Sequence, residues 1–266
     1  MATSPIEPRI ELVRPNVKRT QSSQLRAPHK EVHSDHGEVV RDIIIGFADG
    51  LTVPFALTAG LSSLGSSKLV IIGGLAELFS GSISMGLGAY LAAITDRDHY
   101  YSEEKREREE VVCKPEAERQ ECREILEKYG VSREASAMVV RDLCADHEQW
   151  VRFMMDFELN LEKPKVGRAW ISAATMGAAY FIGGLIPMIP YFAMKNVTHA
   201  LFISIAITLV ILLGFGYIKN WVTVRTKRSA AYGAIQTLCI GALAAGASYG
   251  IVKAIDSTNS PGASVP

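Results

Sequence analysis

IIIGFADGLTVPFALTAGLSSLGSSKLVIIGGLAELFSGSISMGLGAYLAAI, residues 43–94, decides the fold. Its 52 residues hold three charged side chains: Asp49, Lys68 and Glu77. Two later stretches share that composition. Residues 169–218 carry only Lys195, and residues 229–252 carry no charge at all. The other 140 of the 266 residues hold 52 of the 56 Lys, Arg, Asp and Glu. A soluble domain scatters its charge, because every surface helix needs a wet face. Segregation on this scale excludes a single soluble globule. A formal net charge of zero also gives no whole-chain signal for nucleic acid.

About 20 apolar residues cross a hydrocarbon core of ~30 Å. The apolar stretches therefore predict five spans, at 43–63, 69–94, 169–190, 199–218 and 229–252. The expected fold is an all-α membrane protein: five transmembrane helices, with a helical lobe between spans two and three. The expected domains are a disordered N-terminal tail (1–40), helices one and two (41–96), the lobe (97–167), helices three to five (168–254) and a C-terminal tail (255–266). The first 40 residues contain Pro5, Pro8, Pro15 and Pro28 and lack the early apolar run of a signal peptide.

Lysine and arginine set orientation. With the N-terminus cytoplasmic, the segments 1–42, 95–168 and 219–228 hold 25 of the 28 Lys and Arg. The lobe then faces the cytosol, and an odd number of spans puts the C-terminus in a lumen or outside. Cys113, Cys122 and Cys144 fall on the reducing side, none of the four cysteines forms a CxxC pair, and unpaired thiols are expected.

The insert carries 18 acidic against 13 basic residues. Span two is expected to continue into it as a helix. A second helix covers about 116–129 and stops at Gly130. A third region, about 133–162, ends before Pro164, with Asp146 capping a last helix. Glu107 and Glu110 are spaced i,i+3, as are Glu118 and Glu121, so each pair shares a helix face. Two facing pairs could supply oxygen to a divalent cation. Spacing alone favours a solvated face salted with Arg106, Arg108, Arg119 and Arg123. Met154 and Glu158, spaced i,i+4 beside Met155 and Asp156, form a second cluster that also fits plain core packing. Glu-x-x-His, the di-iron signature, is absent from the insert, so no oxidase chemistry is expected.

Asp49 and Glu77 are the strongest physical signal. A carboxylate at membrane depth costs at least ~2.5–3.5 kcal/mol. Lys68 lies near the far interface, and no other cation lies inside the predicted spans. Two unpaired acids on adjacent spans point to a cation or proton pathway. Met85, eight residues after Glu77, faces broadly the same way and adds a soft thioether. Pro54 frees a backbone carbonyl that could also take part.

DGLTVPFALTAGLS (49–62), AELFSGSISMGLGAYLAA (76–93), DHYYSEE (98–104) with REREE (106–110), WVRFMMDFELNLEKP (150–164) and GGLIPMIPY (183–191) closely resemble the vacuolar iron transporter family. That family includes plant vacuolar iron transporters and the fungal calcium/manganese cross-complementing proteins, and the wording looks most like the fungal branch. The resemblance covers about 40–255. It implies a homodimer of five-span subunits in the vacuolar membrane, exporting Fe²⁺ from the cytosol against protons. It implies Asp49, Glu77 and Met85 as the transport pathway, and Glu107, Glu110, Glu118, Glu121, Met154 and Glu158 as metal ligands of the cytoplasmic lobe. The chain departs from the family pattern at Met155, where a further acid can stand. The expected cargo is a divalent metal: Fe²⁺, with Mn²⁺, Co²⁺ or Zn²⁺ as further possibilities, and no prosthetic group. A Mn²⁺/Ca²⁺-preferring transporter and a membrane-anchored metal sensor are the alternatives. An enzyme finds no support, since none of the six histidines lies deep in a span.

Overall fold

The computed structural model describes residues 37–259, and their regular elements are all helical. The chain runs through α1 (Gly37–Ser62), α2 (Ser67–Cys113), α3 (Pro115–Lys128), α4 (Arg133–Leu143) and α5 (His147–Phe153). A π-helical turn, Met154–Glu158, follows, then α6 (Arg168–Ala193), α7 (Val197–Val224) and α8 (Lys227–Asn259). Among the described residues, five helices are long and apolar enough to cross a membrane: α1, α2, α6, α7 and α8.

Each helix outruns the apolar stretch that announced it. Polar residues continue a helix as readily as apolar ones, so hydropathy marks where lipid begins and not where the helix does. Residues 37–40, expected in the N-terminal tail, form the first turn of α1, and α8 continues through Asn259 into the expected C-terminal tail. The rest of both expected tails lies outside the described residues.

Helix α6 packs most extensively against α1 and α2, while α7 pairs with α8 and α8 returns to α1. Small residues make the α1–α6 contact possible. Gly46 and Gly50 sit against the backbone of Met176 and Tyr180, and a Cβ at Gly50 would collide with the Tyr180 carbonyl. Pro54 cannot donate to the Gly50 carbonyl. That oxygen packs against Gly184, 3.1 Å from where a Cβ there would stand, so α6 covers the group that the sequence left open for an ion.

The 47-residue α2 is about 70 Å long and leaves the bundle to form the spine of the lobe. It stops at Cys113, and Pro115 starts α3 at once, so the chain folds back on itself. Gly130, at φ +83°, ends the next turn. Ser132 caps α4 and Asp146 caps α5. Tyr100, Val111, Cys122, Val140, Trp150, Val151, Met154 and Met155 form the lobe core. The helix expected to run on to about 162 ends at Glu158, after the π-turn, and residues 159–165 have no regular structure.

Candidate functional site

Three of the six expected lobe ligands converge. Carboxylate oxygens of Glu107 on α2, Glu118 on α3 and Glu158 on the π-turn all lie within 4.8 Å of one another. The fold-back at Pro115 lays α3 along α2, which turns Glu118 toward Glu107. The π-turn supplies the third group. Its wide Leu159 N–H to Met154 carbonyl bond, 3.1 Å, lets Met154 and Met155 both enter the core while Glu158 stays at the open edge of the acidic cluster. Nothing in the run FMMDFE distinguishes this turn from an ordinary α-helix.

Glu107 and Glu118 are 1% and 4% exposed, and the Oε2 atom of each has no hydrogen-bond partner among the described residues. A stranded buried acceptor costs about 1–3 kcal/mol, more when charged. Desolvation first, then the negative fields of Glu121, Glu107 and Glu110, push the Glu118 carboxyl up to about 7. Desolvation and Glu107, Glu121 and Glu118 likewise raise Glu158 to about 7. Glu107 is also raised, by desolvation and then Glu110, against the lowering effect of Arg106. Buried oxygens without donors and mutually repelling acids are what a divalent cation satisfies, and all three are hard ligands.

Glu110 and Glu121 stand outside this triangle. Glu110 is half-buried and faces Arg106 at 3.6 Å and Lys114 at 3.9 Å. Glu121 is half-buried and acts on the triad through its charge. Met154 is fully buried, and the Cys122 thiol donates to its sulfur at 3.3 Å. Met155 is core, while Asp156 points to solvent and pairs with Arg152 at 3.5 Å, so neither joins the triangle.

The membrane-depth residues lie on α1 and α2, both of which pack against α6. Glu77 of α2 is half-buried and accepts a hydrogen bond of 2.9 Å from the Tyr180 hydroxyl of α6. The Tyr180 ring fills the space over Gly81, where any side chain would collide with it, and its backbone abuts Gly50, next to Asp49. Met85 is half-buried further along α2. Asp49 is exposed on α1 and lines a groove of about 320 Å³ together with Lys219 of α7. Lys68 aside, no Lys or Arg lies inside the predicted spans, and Lys219, just outside them, shares the groove with Asp49. Lys219 lies one residue beyond the predicted span, but α7 carries on to Val224 and keeps it in the bundle.

Sequence reasoning also missed a buried charge cluster where the lobe rejoins the bundle. Asp42 is fully buried and accepts from Ser172 Oγ at 2.7 Å, with Arg168 Nη2 at 3.0 Å. Arg168 also holds Glu38, at 2.6 Å. Gly167, at φ +79°, lets the chain turn into α6 so that Arg168 reaches both acids. These residues line a cleft of about 770 Å³ with Tyr90, Asp96, Tyr101 and Trp170. Asp42 falls one residue before the predicted first span and has no role assigned from sequence. A signal existed: it precedes Asp49 by seven residues, two helical turns on one face.

The VIT family model matches residues 40–253. Vacuolar iron transporter 2 of Oryza sativa subsp. japonica is 49% identical over 86% of this chain and 92% of its own length. Vacuolar iron transporter 1 of Arabidopsis thaliana is 47% identical over 85% of this chain and 90% of its own. Protein CCC1 of Saccharomyces cerevisiae is 42% identical over 81% of this chain and 68% of its own, so identity to these two plant proteins exceeds that to the yeast one. With five span-length helices and a match over nearly all described residues, the chain belongs to the VIT family, a family of transporters and not of enzymes.

Proposed function

We propose that the protein carries Fe²⁺, with Mn²⁺ as a second cargo, from the cytosol into the vacuole in exchange for protons. The observation that carries this is the pair of membrane-depth carboxylates, Asp49 and Glu77, in a chain whose relatives are named vacuolar iron transporters. A carboxylate exposed on the side of α1 is costly in hydrocarbon. A second copy of the chain covering that face, with Asp49 at a water-accessible seam, removes the cost, so the working unit is a homodimer. The 25-to-3 division of Lys and Arg supports an orientation with the N-terminus and the lobe in the cytosol and the C-terminus in the lumen.

In this reading the lobe gathers the cargo. Glu107, Glu118 and Glu158 bind it through oxygen, Met154 adds sulfur, and Glu110 and Glu121 enlarge the negative field. Binding expels the protons that Glu118 and Glu158 hold near neutral pH. Met85, Glu77 and Asp49 then form the membrane pathway, with the Tyr180 hydroxyl orienting Glu77. Glu77 and Asp49 can each hold either a cation or a proton, which is the exchange that antiport needs.

Purified protein in liposomes tests this. An imposed proton gradient should drive Fe²⁺ uptake in the wild type, and Asp49→Ala should abolish it while the protein stays folded. Metal binding without gradient-driven flux would leave a sensor and remove the transporter. Near-normal flux in Asp49→Ala would take that carboxylate out of the pathway.

A further inference from the structure

Met154 has a partner that the metal reading does not use. Cys122 is one helical turn beyond Glu118 on α3 and is fully buried. Its Sγ lies 3.3 Å from Met154 Sδ, with the thiol as donor. Both sulfurs are sealed in the lobe core beside Val151, Trp150 and Met155. A methionine side chain has three rotatable bonds and adapts to whatever space it is given. For its thioether to serve a metal, something must fix where the sulfur points. The π-turn fixes the Met154 backbone, and Cys122 touches the sulfur itself. A thioether has two lone pairs. With one engaged by the Cys122 thiol, the other is left for a cation. Because Cys122 and Glu118 share a face of α3, the helix that sets the carboxylate also sets the thioether.

We infer that Cys122 is a positioning residue that holds the Met154 thioether toward the glutamate cluster, and that it thereby sets the lobe's preference for softer over harder divalent cations. This rests on the reading of the lobe as a metal site. Oxygen ligands bind Mn²⁺ and Fe²⁺ in much the same way, whereas a thioether contributes more to Fe²⁺ and Co²⁺ than to Mn²⁺. Loss of the positioning contact should therefore fall on one class of metal. Loss of packing would fall on both.

The experiment measures Co²⁺, anaerobic Fe²⁺ and Mn²⁺ affinities of the full-length protein in detergent, for wild type, Cys122→Ala, Cys122→Ser, Met154→Leu and the double variant Cys122→Ala/Met154→Leu. Circular dichroism and the melting midpoint report folding. Cys122→Ala should weaken Co²⁺ and Fe²⁺ binding by about tenfold, the lower end of the usual loss when a ligand's support is removed, and leave Mn²⁺ within about twofold. Cys122→Ser, which keeps a donor at nearly the same volume, should recover part of the loss and serves as the variant of record if the alanine variant does not fold. On the Met154→Leu background, Cys122→Ala should change nothing further. An equal loss for all three metals, an unchanged Co²⁺ to Mn²⁺ ratio, or a full extra loss on the Met154→Leu background each overturns the inference. The lobe reading fails separately: it falls if Glu107→Gln/Glu118→Gln binds all three metals as the wild type does.

Discussion

The metal-binding reading of the lobe makes a quantitative claim about pH. Glu118 is almost fully buried, and its carboxyl is raised to about 7. A divalent cation binds the ionised form, so affinity must rise with pH across that value. At pH 8 such a group is about nine-tenths ionised, and at pH 6 about one-tenth, so Glu118 alone predicts about a tenfold loss of affinity over that interval. Glu158 is also raised to about 7 but stands open to solvent, so screening reduces its share below a second factor of ten. The expected total lies between about tenfold and a hundredfold. An ordinary exposed glutamate, titrating near 4.3, would predict almost no change. The effect on stability has the opposite sign. A carboxyl raised in the folded state favours folding below its unfolded value, and that contribution is lost as pH rises toward 7. The metal-free protein should therefore melt lower at pH 8 than at pH 5, and added Mn²⁺ should restore the midpoint at pH 8 far more than at pH 5. Calorimetric titration of the full-length protein with Mn²⁺ and anaerobic Fe²⁺ at pH 6, 7 and 8 measures the first claim, and thermal melts measure the second. Glu118→Gln should weaken binding and flatten its pH slope. Equal affinity at pH 6 and pH 8, or a slope unchanged in Glu118→Gln, would refute the argument.

Other perturbations separate structure from transport. Arg168→Met strands the buried Asp42 carboxylate and should cost about 3–5 kcal/mol in denaturant unfolding, with Asp42→Leu in the same chain recovering most of it. If the single variant unfolds like the wild type, the cluster carries no structural weight. Tyr180→Phe removes the donor to Glu77 and should lower proton-driven Fe²⁺ flux about tenfold with helix content unchanged, as expected for losing a hydrogen bond to a charged group. Undiminished flux would leave the hydroxyl without a role. Met85→Leu keeps the volume and loses the sulfur, so Fe²⁺ uptake should fall more than Mn²⁺ uptake at equal protein density. An equal fractional loss would reduce Met85 to packing.

The membrane fold was legible because lipid imposes one rule on whole segments, and charge segregation reports it. Helix ends within the insert were legible where single residues act: Gly130 ends the turn after α3 and Asp146 caps α5, while α3 opens at Pro115, one residue before its expected start. The π-turn was not, since Met154–Glu158 has good helix formers and no breaker. Its consequence, Glu158 beside Glu107 and Glu118, depends on how three separate elements dock. The Tyr180–Glu77 and Arg168–Asp42 pairs join residues 103 and 126 positions apart, and no local pattern encodes such distances. Lys219 lies one residue past the apolar stretch 199–218, and hydropathy carries no sign that α7 continues to Val224.

One helix carries both candidate sites. Glu77 and Glu107 stand 30 residues apart on α2, about 45 Å along its axis. That is several Debye lengths at physiological salt, so protonation in the lobe cannot act on the membrane acids through its field. Two couplings remain: the cation itself, leaving one site and reaching the other, or movement of the lobe against the bundle. The second would pass through the joint where Arg168 clamps Glu38 and Asp42, because that cluster fastens the returning chain to α1. The two separate by experiment. If the cation alone couples the sites, a lobe with Glu107 and Glu118 changed to Gln should transport normally once Fe²⁺ is raised enough to bypass it. If the joint couples them, flux should stay low at any Fe²⁺ concentration. Arg168→Met/Asp42→Leu, which removes the clamp without stranding a charge, should then disconnect lobe occupancy from flux.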